Sequence, residues 1–231
     1  MKKYLSGLIL FCMVHHVFAA SSAISLENPN INLQDINSIK RGAHFFAQHC
    51  LSCHTMKYLR YNQLANKAGI TYKKMPIGKK DWWFGAIPPD LTLIARSKGI
   101  SWLYTYLHSF YVDTKQTLGS NNLLVKNSSM PNILLPMQGE QVLRKTALLP
   151  KISGRVEWYD LLELKKQGSK TPAQFDHNIK DLVNFLHYAS EPKKQARVMV
   201  GYWVVGAILI LLGLMILLKK DYWKDIKNKK G

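Results

Sequence analysis

Three residues that could do chemistry together stand close to one another in the chain. Cys50, Cys53 and His54 form a Cys-x-x-Cys-His motif. Two thiols at this spacing can add to the two vinyl groups of a haem as thioethers, and the imidazole that follows can then reach the iron. The motif therefore predicts one covalently attached haem c, held by Cys50 and Cys53, with His54 as an iron ligand.

Three other kinds of site are compatible with two cysteines at this spacing. A thioredoxin-like redox pair requires a βαβ pattern, and none is visible around the motif. A zinc site usually has four strong ligands, often from a second pair of cysteines. A structural disulfide across two intervening residues is rare. The histidine that follows Cys53 and the helical pattern before Cys50 favour haem over these three alternatives.

The iron needs a sixth ligand or an open coordination position. A methionine sulfur suits electron transfer because it raises the reduction potential of a haem. Met56 is too close to His54 to reach the opposite face. Met130 precedes a proline in a polar loop, which can hold a thioether in place, and the pattern favours it over Met75. The alternatives that also stay open are Met137, His108, His177 and His187.

A predicted amphipathic helix ends at the motif. Ile39, Ala43, Phe46 and Cys50 recur at helical spacing and predict its buried face. Gly42 shares a face with Phe46 and would let a second helix approach closely. Three other stretches carry weaker patterns: residues 101–110 predict a short helix, 147–166 a small hairpin and 69–80 a basic loop.

The two ends of the chain have the patterns of targeting and anchoring segments. Residues 1–20 combine two lysines, an uncharged run and small residues, as a secretory signal peptide does, with cleavage after Ala19 or as late as Ala23. An N-terminal anchor is the alternative, but the apolar run is too short to span a bilayer. Residues 198–218 are uncharged and long enough to span it. The basic tail 219–231 predicts a cytoplasmic C-terminus.

Composition excludes several classes of protein. With 47% hydrophobic residues the chain of 231 residues can form a packed core, and three cysteines are too few for a disulfide scaffold. The net charge is +18, and residues 24–197 alone carry 24 Lys and Arg against 12 Asp and Glu. This part is predicted to lie in the periplasm, so we expect no nucleic-acid partner. No residues form a pattern typical of a catalytic nucleophile or a paired acid and base.

Several stretches resemble segments of the cytochrome c1 family, in its proteobacterial type. Residues 41–54 resemble its haem-attachment helix, and residues 83–96, with Pro88-Pro89-Asp90-Leu91, resemble its proline-rich haem-pocket segment. The stretch from Met130 to Asn132, with Gln138-Gly139, is similar to the segment that supplies the axial methionine. Residues 181–192 and the basic tail also resemble the family. The resemblance places the axial role on Met130.

The resemblance implies a mainly α fold, with a c-type cytochrome haem domain and a C-terminal single-pass transmembrane helix. It implies the electron-transfer haem subunit of the cytochrome bc1 complex, the ubiquinol–cytochrome c oxidoreductase of respiratory chains. The expected partners are cytochrome b, the Rieske iron–sulfur protein as electron donor, a cytochrome c acceptor and membrane lipid. The haem domain would lie in the periplasm, on the bacterial inner membrane. The chain would belong to an enzyme complex without holding its quinol site.

An alternative function is a free-standing, membrane-anchored c-type cytochrome that feeds an oxidase or another reductase. A third is a scaffold whose haem is only structural. The chain also departs from the family at one position: after Val112-Asp113 the family commonly carries an arginine associated with a haem propionate, and Gln116 stands there. Lys115 and Arg96 are the remaining candidates for that contact.

One helix–helix contact follows from the same resemblance. A second predicted helix begins at a capping box formed by Thr171 and Gln174, with Pro172 at its first position. Its apolar stripe would pack on the Gly42 face of the first helix. The residues of that stripe are Ile179, Leu182, Val183 and Leu186.

Overall fold

The computed structural model describes residues 24–78, 82, 85–144 and 156–228. The predicted signal peptide, residues 1–20, lies outside these ranges, as do both predicted cleavage sites. Lys79 and Lys80 of the predicted basic loop also lie outside them. In the described part of that loop, a short 3₁₀ turn spans Tyr72–Lys74.

About half of the residues are helical, which confirms the predicted mainly α fold. The helices are α1 (Ile36–His49), α2 (Gln63–Lys67), α3 (Ile94–Lys98), α4 (Ile100–His108), α5 (Leu135–Gln138), α6 (Trp158–Leu161), α7 (Pro172–Ser190) and α8 (Lys194–Asn228). A second 3₁₀ turn, Lys57–Leu59, follows the haem motif.

The strands form three two-stranded sheets within the described residues. Their members are β1 (Ile24–Ser25) with β5 (Val156–Glu157), β2 (Phe110–Val112) with β3 (Ser120–Asn122), and β4 (Gly139–Leu143) with β6 (Leu162–Gln167). The first pair is parallel and the other two are antiparallel. These short sheets join segments that lie between the helices.

The haem motif is positioned by the packing of α1 on α7. The predicted buried face of α1 is confirmed, because Ile39, Ala43 and Phe46 have no exposed surface. At the crossing, a Cβ atom on Gly42 would lie 1.9 Å from the main-chain oxygen of Asp181. Only glycine therefore allows the two helices to come this close, as the sequence predicts.

Polar contacts fix the direction of α7. The capping box at Thr171 and Gln174 is present, with both reciprocal hydrogen bonds formed. Arg41 of α1 binds the carboxylate of Asp181 through two nitrogens, at 2.6 and 2.9 Å. The Asp181 side chain is only 5% exposed, while that of Arg41 is 49% exposed, so this pair joins the two helices at the edge of their contact. The predicted stripe from Ile179 to Leu186 is buried.

The first run of the predicted hairpin within residues 147–166 lies outside the described residues. In the described part, residues 162–167 form β6, which pairs with β4. The two strands approach closely at Gly139, which has a φ of 93°, and a Cβ atom there would lie 2.2 Å from the Lys166 main-chain oxygen. The short helix predicted for residues 101–110 exists as α4 and ends at His108, because Phe110 already belongs to β2.

The C-terminal helix α8 is apolar and exposed along its length. Its segment Ala196–Lys224 is long and apolar enough to cross a membrane, with a mean hydropathy of 2.5 and no buried residues. The predicted span 198–218 lies within it. A helix whose large apolar side chains remain exposed in the described protein is suited to a lipid environment.

Candidate haem site

The four residues predicted to bind the cofactor line one cleft with two lobes. The outer lobe has a volume of about 290 Å³ and the inner lobe about 230 Å³. The lining residues common to both lobes are Cys50, His54, Pro89, Met130 and Ile133. Cys53 lines the outer lobe only. Together the lobes fall within the range of roughly 300–1,000 Å³ that is usual for cofactor sites.

The C-terminal end of α1 places the two thiols and the imidazole. The Cys50 N–H donates to the Phe46 oxygen at 2.9 Å, which continues the helix to the first cysteine. The N–H groups of Cys53 and His54 then donate to the Cys50 oxygen at 3.1 and 2.8 Å. This tight turn brings all three side chains to the same cleft.

The imidazole of His54 is held in one tautomer. Its Nδ1 lies 2.9 Å from the Pro89 main-chain oxygen, which can only accept a hydrogen bond. Nδ1 therefore carries the proton and Nε2 keeps its lone pair. Burial lowers the pKa of His54, which also favours the neutral ring. A neutral imidazole with a free Nε2 is the form that ligates iron.

A carboxylate anchors the segment that carries Pro89. Asp90 accepts hydrogen bonds from the Thr55 hydroxyl at 2.7 Å and from the Lys57 N–H at 2.8 Å. Burial works against its charge, but these bonds and those from Thr92 leave the pKa of Asp90 lowered. The ionised Asp90 thus ties the wall of the cleft to the residues that follow His54.

Met130 reaches the cleft from a separate loop. The turn before it contains Asn127 in the left-handed conformation, with a φ of 57°. The Met130 N–H donates to the Ser128 hydroxyl at 3.2 Å, which fixes the backbone of the loop. Its side chain lines both lobes of the cleft that His54 also lines.

The other residues considered as the sixth ligand lie away from this cleft. Met75 is 6% exposed in the hydrophobic core, and Met137 packs against that core. His108 lines a different cavity with Trp158 and Phe175. The remaining two histidines belong to α7, where Nε2 of His177 lies 3.4 Å from Asp181 and Nε2 of His187 lies 3.4 Å from the Lys194 ammonium.

Three alternatives to a haem site were a thioredoxin-like redox pair, a zinc site and a structural disulfide, and the structure gives evidence on each. Cys50 and Cys53 are free thiols. In the part of the chain that the structure describes, no group of three or more His, Cys, Asp or Glu is placed to hold a metal ion. Burial, with a contribution from Cys53, raises the pKa of the Cys50 thiol to about 12, so it is unsuited to act as a thiolate. An apolar cleft with two thiols, an imidazole and a thioether fits a haem.

Sequence reasoning missed one cation and two aromatic residues of the inner lobe: Lys98, Trp102 and Tyr106. The Lys98 ammonium lies 5.3 Å from the centre of the Trp102 ring. Lys98 ends α3, and Gly99, with a φ of 87°, separates α3 from α4.

Lys115 and Arg96, the two cations considered as partners of a haem propionate, do not line either lobe of the cleft. Lys115 is exposed in a turn where its N–H donates to Asp113 at 3.1 Å. Arg96 lies 3.6 Å from Glu191. Among the described residues, Lys98 is the only Lys or Arg that lines either lobe.

Comparisons with known proteins identify the family of the chain. The Cytochrome C1 family matches residues 28–82 and 79–226. Cytochrome c1 of Allochromatium vinosum is 34% identical, over 98% of this chain and 100% of the relative. A protein named ammonia monooxygenase gamma subunit, from Nitrosomonas europaea, is 33% identical over 97% of this chain and 98% of its own.

More distant matches extend to eukaryotes and to a solved structure. Mitochondrial cytochrome c1 of Schizosaccharomyces pombe is 32% identical over 63% of this chain and 42% of its own. A chain of the structure described as "Hyperthermophilic respiratory Complex III" aligns with 99% of this chain and 96% of its own, at a TM-score of 0.48 and 17% identity. Because the family match runs through the haem motif, the cleft and the membrane helix, this chain belongs to the cytochrome c1 family.

Proposed function

We propose that this chain is the haem-bearing electron-transfer subunit of a cytochrome bc1 complex. In this role it passes single electrons from a Rieske iron–sulfur protein to a cytochrome c acceptor. The observation that carries the proposal is the shared cleft, which Cys50, His54 and Met130 line together in a member of the cytochrome c1 family. Membership of that family implies a haem cofactor and electron transport in a respiratory chain.

The chain's own residues would hold one haem c in the cleft. Cys50 and Cys53 would form the thioethers, while His54 Nε2 and the Met130 sulfur would be the axial ligands. When bound, the haem supplies a reversible one-electron exchange at its iron. The methionine and the apolar walls favour a high reduction potential, since both disfavour the extra positive charge of the ferric state.

The mouth of the cleft is suited to contact with a redox partner. Ile87 lines the outer lobe and is 67% exposed, and Cys53 is partly exposed beside it. An apolar rim at the haem edge allows another protein to approach without displacing tightly bound water. The chain would thus relay electrons within an enzyme complex, with cytochrome b holding the quinol chemistry.

The membrane helix would fix the orientation of the domain. With a cleaved signal peptide and α8 crossing the inner membrane, the haem domain would lie in the periplasm. Six lysines follow residue 218, in the tail that the positive-inside rule assigns to the cytoplasm. Lipid would contact the exposed apolar side chains of α8.

Isolation of the complex from membranes in a mild detergent tests the proposal. We expect the full chain, with an affinity tag at its C-terminus, to co-purify with a cytochrome b and a Rieske protein. Co-purification with an oxidase alone would support the free-standing cytochrome, and co-purification with a monooxygenase would match the name of the Nitrosomonas relative instead. A redox titration of the same sample shows whether the haem exchanges electrons or is only structural.

A further inference from the structure

Tyr106 contacts the sulfur of Met130 at the inner end of the cleft. Tyr106 lies on α4, and its phenol O–H donates to the Met130 Sδ over 3.6 Å. Sulfur is a large and weak acceptor, and its hydrogen bonds are correspondingly longer than those to oxygen. A phenol stays protonated near neutral pH, so a proton is available for this bond.

Aromatic packing holds the phenol in this place. The Tyr106 ring stacks on Trp102, with ring centres 4.8 Å apart and planes inclined by 9°. Its other side meets the edge of Phe110, at 5.1 Å and 70°. Trp102 and Tyr106 both line the inner lobe. The donor is therefore fixed by rigid neighbours and not by a flexible loop.

Tyr106, Ser128 and Met130 can close a small ring of hydrogen bonds, although the Ser128 hydroxyl also lies 3.5 Å from the Met130 main-chain oxygen. The Ser128 oxygen lies 3.1 Å from the Tyr106 oxygen, and it accepts the Met130 N–H at 3.2 Å. If the serine hydroxyl donates to the phenol oxygen, the phenol proton is free to point at the sulfur. Each of the three residues then gives one hydrogen and receives one, which satisfies all of them.

We infer that Tyr106 is a positioning residue that sets how strongly the Met130 sulfur donates to the haem iron, and with it the reduction potential. The inference rests on the proposed function, because it takes Met130 as the axial ligand. A thioether has two lone pairs: one can face the iron while the other accepts the phenol proton. The O–H dipole presents its positive end to the sulfur, so it disfavours ferric iron more than ferrous iron.

The test is Tyr106→Phe in the full-length holoprotein, which keeps the ring and removes the donor. We expect the equilibrium for reduction to fall on the order of three- to tenfold, as the loss of one hydrogen bond suggests. A tenfold change corresponds to about 59 mV for one electron. The ferric methionine–iron absorption band should persist. Added imidazole should displace the methionine from ferric iron less readily, by a similar factor.

Two variants serve as controls. Tyr104→Phe removes a buried phenol hydroxyl from the same helix, one that donates to Asp176 away from the cleft, and it should leave the potential unchanged. Ser128→Ala keeps the phenol donor and its sulfur acceptor but removes the hydroxyl that contacts the phenol oxygen and the Met130 N–H, so it should lower the potential less than Tyr106→Phe does. If Ser128→Ala lowers the potential as much as Tyr106→Phe does, loop placement and not the sulfur contact sets it, and the inference is wrong.

Two further outcomes separate this inference from the function on which it rests. An unchanged potential in Tyr106→Phe, or loss of the methionine–iron band there, overturns the role given to Tyr106. If the band survives replacement of Met130 itself, the axial assignment fails first, and the inference fails with it. A lower potential with the band retained in Tyr106→Phe supports both.

Discussion

The Nδ1 atom of His54 lies 2.9 Å from the main-chain oxygen of Pro89, so the haem-attachment turn is bonded to the opposite wall of the cleft. This one contact fixes the ring orientation and leaves Nε2 available to a metal. Hydrogen bonds of this kind also make a ligating imidazole more basic. If His54 ligates the iron as proposed, the proline-rich segment would set the basicity of this ligand as well as its orientation.

The first prediction concerns the covalent attachment of haem. Because two free thiols stand at the cleft in a Cys-x-x-Cys-His turn, the haem should stay with the denatured protein through acid–acetone extraction. The Cys50→Ala and Cys53→Ala single variants should each keep one thioether at most, and the double variant should release its haem. Free haem in the extract of the unaltered protein would disprove the attachment.

The second prediction concerns the sixth ligand. Met130→Lys should abolish the ferric methionine–iron band, and it should lower the reduction potential because an amine donates more strongly than a thioether. Met75→Leu and Met137→Leu should keep the band, since neither residue lines the cleft. The reverse result, with the band lost in Met75→Leu and kept in Met130→Lys, would move the ligand to Met75.

The third prediction concerns the helix crossing. Gly42→Ala should destabilise the haem domain by more than about 1–3 kcal/mol, the usual cost of overpacking, because the added Cβ meets main-chain atoms of Asp181 that cannot rotate away. Denaturant unfolding of the holoprotein, followed by haem absorbance, measures this change. Gly206→Ala is the matched control, since a Cβ there meets nothing within 4 Å. Equal stability of both variants would contradict the crossing.

Sequence patterns predicted the parts of this fold that depend on local spacing. The stripe on α1, the capping box of α7 and the room for a second helix at Gly42 all follow from residues within one helix, whereas the family resemblance identified α7 as that second helix. The pairing of β4 with β6 could not be found in this way, because it joins distant segments and depends on the unusual backbone of Gly139.

The same distinction applies to the site. Cys50, Cys53 and His54 are adjacent in sequence, so spacing alone brought them together. Met130 stands far along the chain, and spacing left it one of several candidates until a family resemblance singled it out. Lys98 belongs to no motif, and only the three-dimensional structure shows that it lines the inner lobe.

The fourth prediction concerns the membrane anchor. A chain that ends at Arg197, with its signal peptide, should be exported, soluble and loaded with haem, because every residue that lines the cleft lies upstream. Its ferric methionine–iron band should match that of the full chain. Fractionation of cells into periplasm and membranes makes the measurement. If the shortened chain remains an integral membrane protein, the signal peptide is not cleaved.

The fifth prediction concerns the charge of the electron acceptor. Between Asp35 and Asp81 the sequence contains nine Lys and Arg and no Asp or Glu. Among the described residues of that stretch, Arg41 alone is ion-paired with a carboxylate. Lys57 and Arg60 are exposed just after His54, and Tyr58 and Tyr61 are 74% and 83% exposed beside them. We therefore expect the acceptor to be neutral or acidic.

Rates of electron transfer measured against ionic strength, with one acidic and one basic cytochrome c, decide this. Charge steering changes association rates by ~10–10³, and at 0.1 M salt it is screened beyond ~10 Å. The acidic acceptor should react faster at low salt and slow down as salt is added, whereas the basic one should start slowly and gain speed. Lys57→Gln should weaken the salt dependence for the acidic acceptor, with Lys166→Gln as the control, because Lys166 is exposed on β6 and lines neither lobe of the cleft. If the basic acceptor is instead fast at low salt and slows with added salt, a local acidic patch governs docking despite the net positive charge.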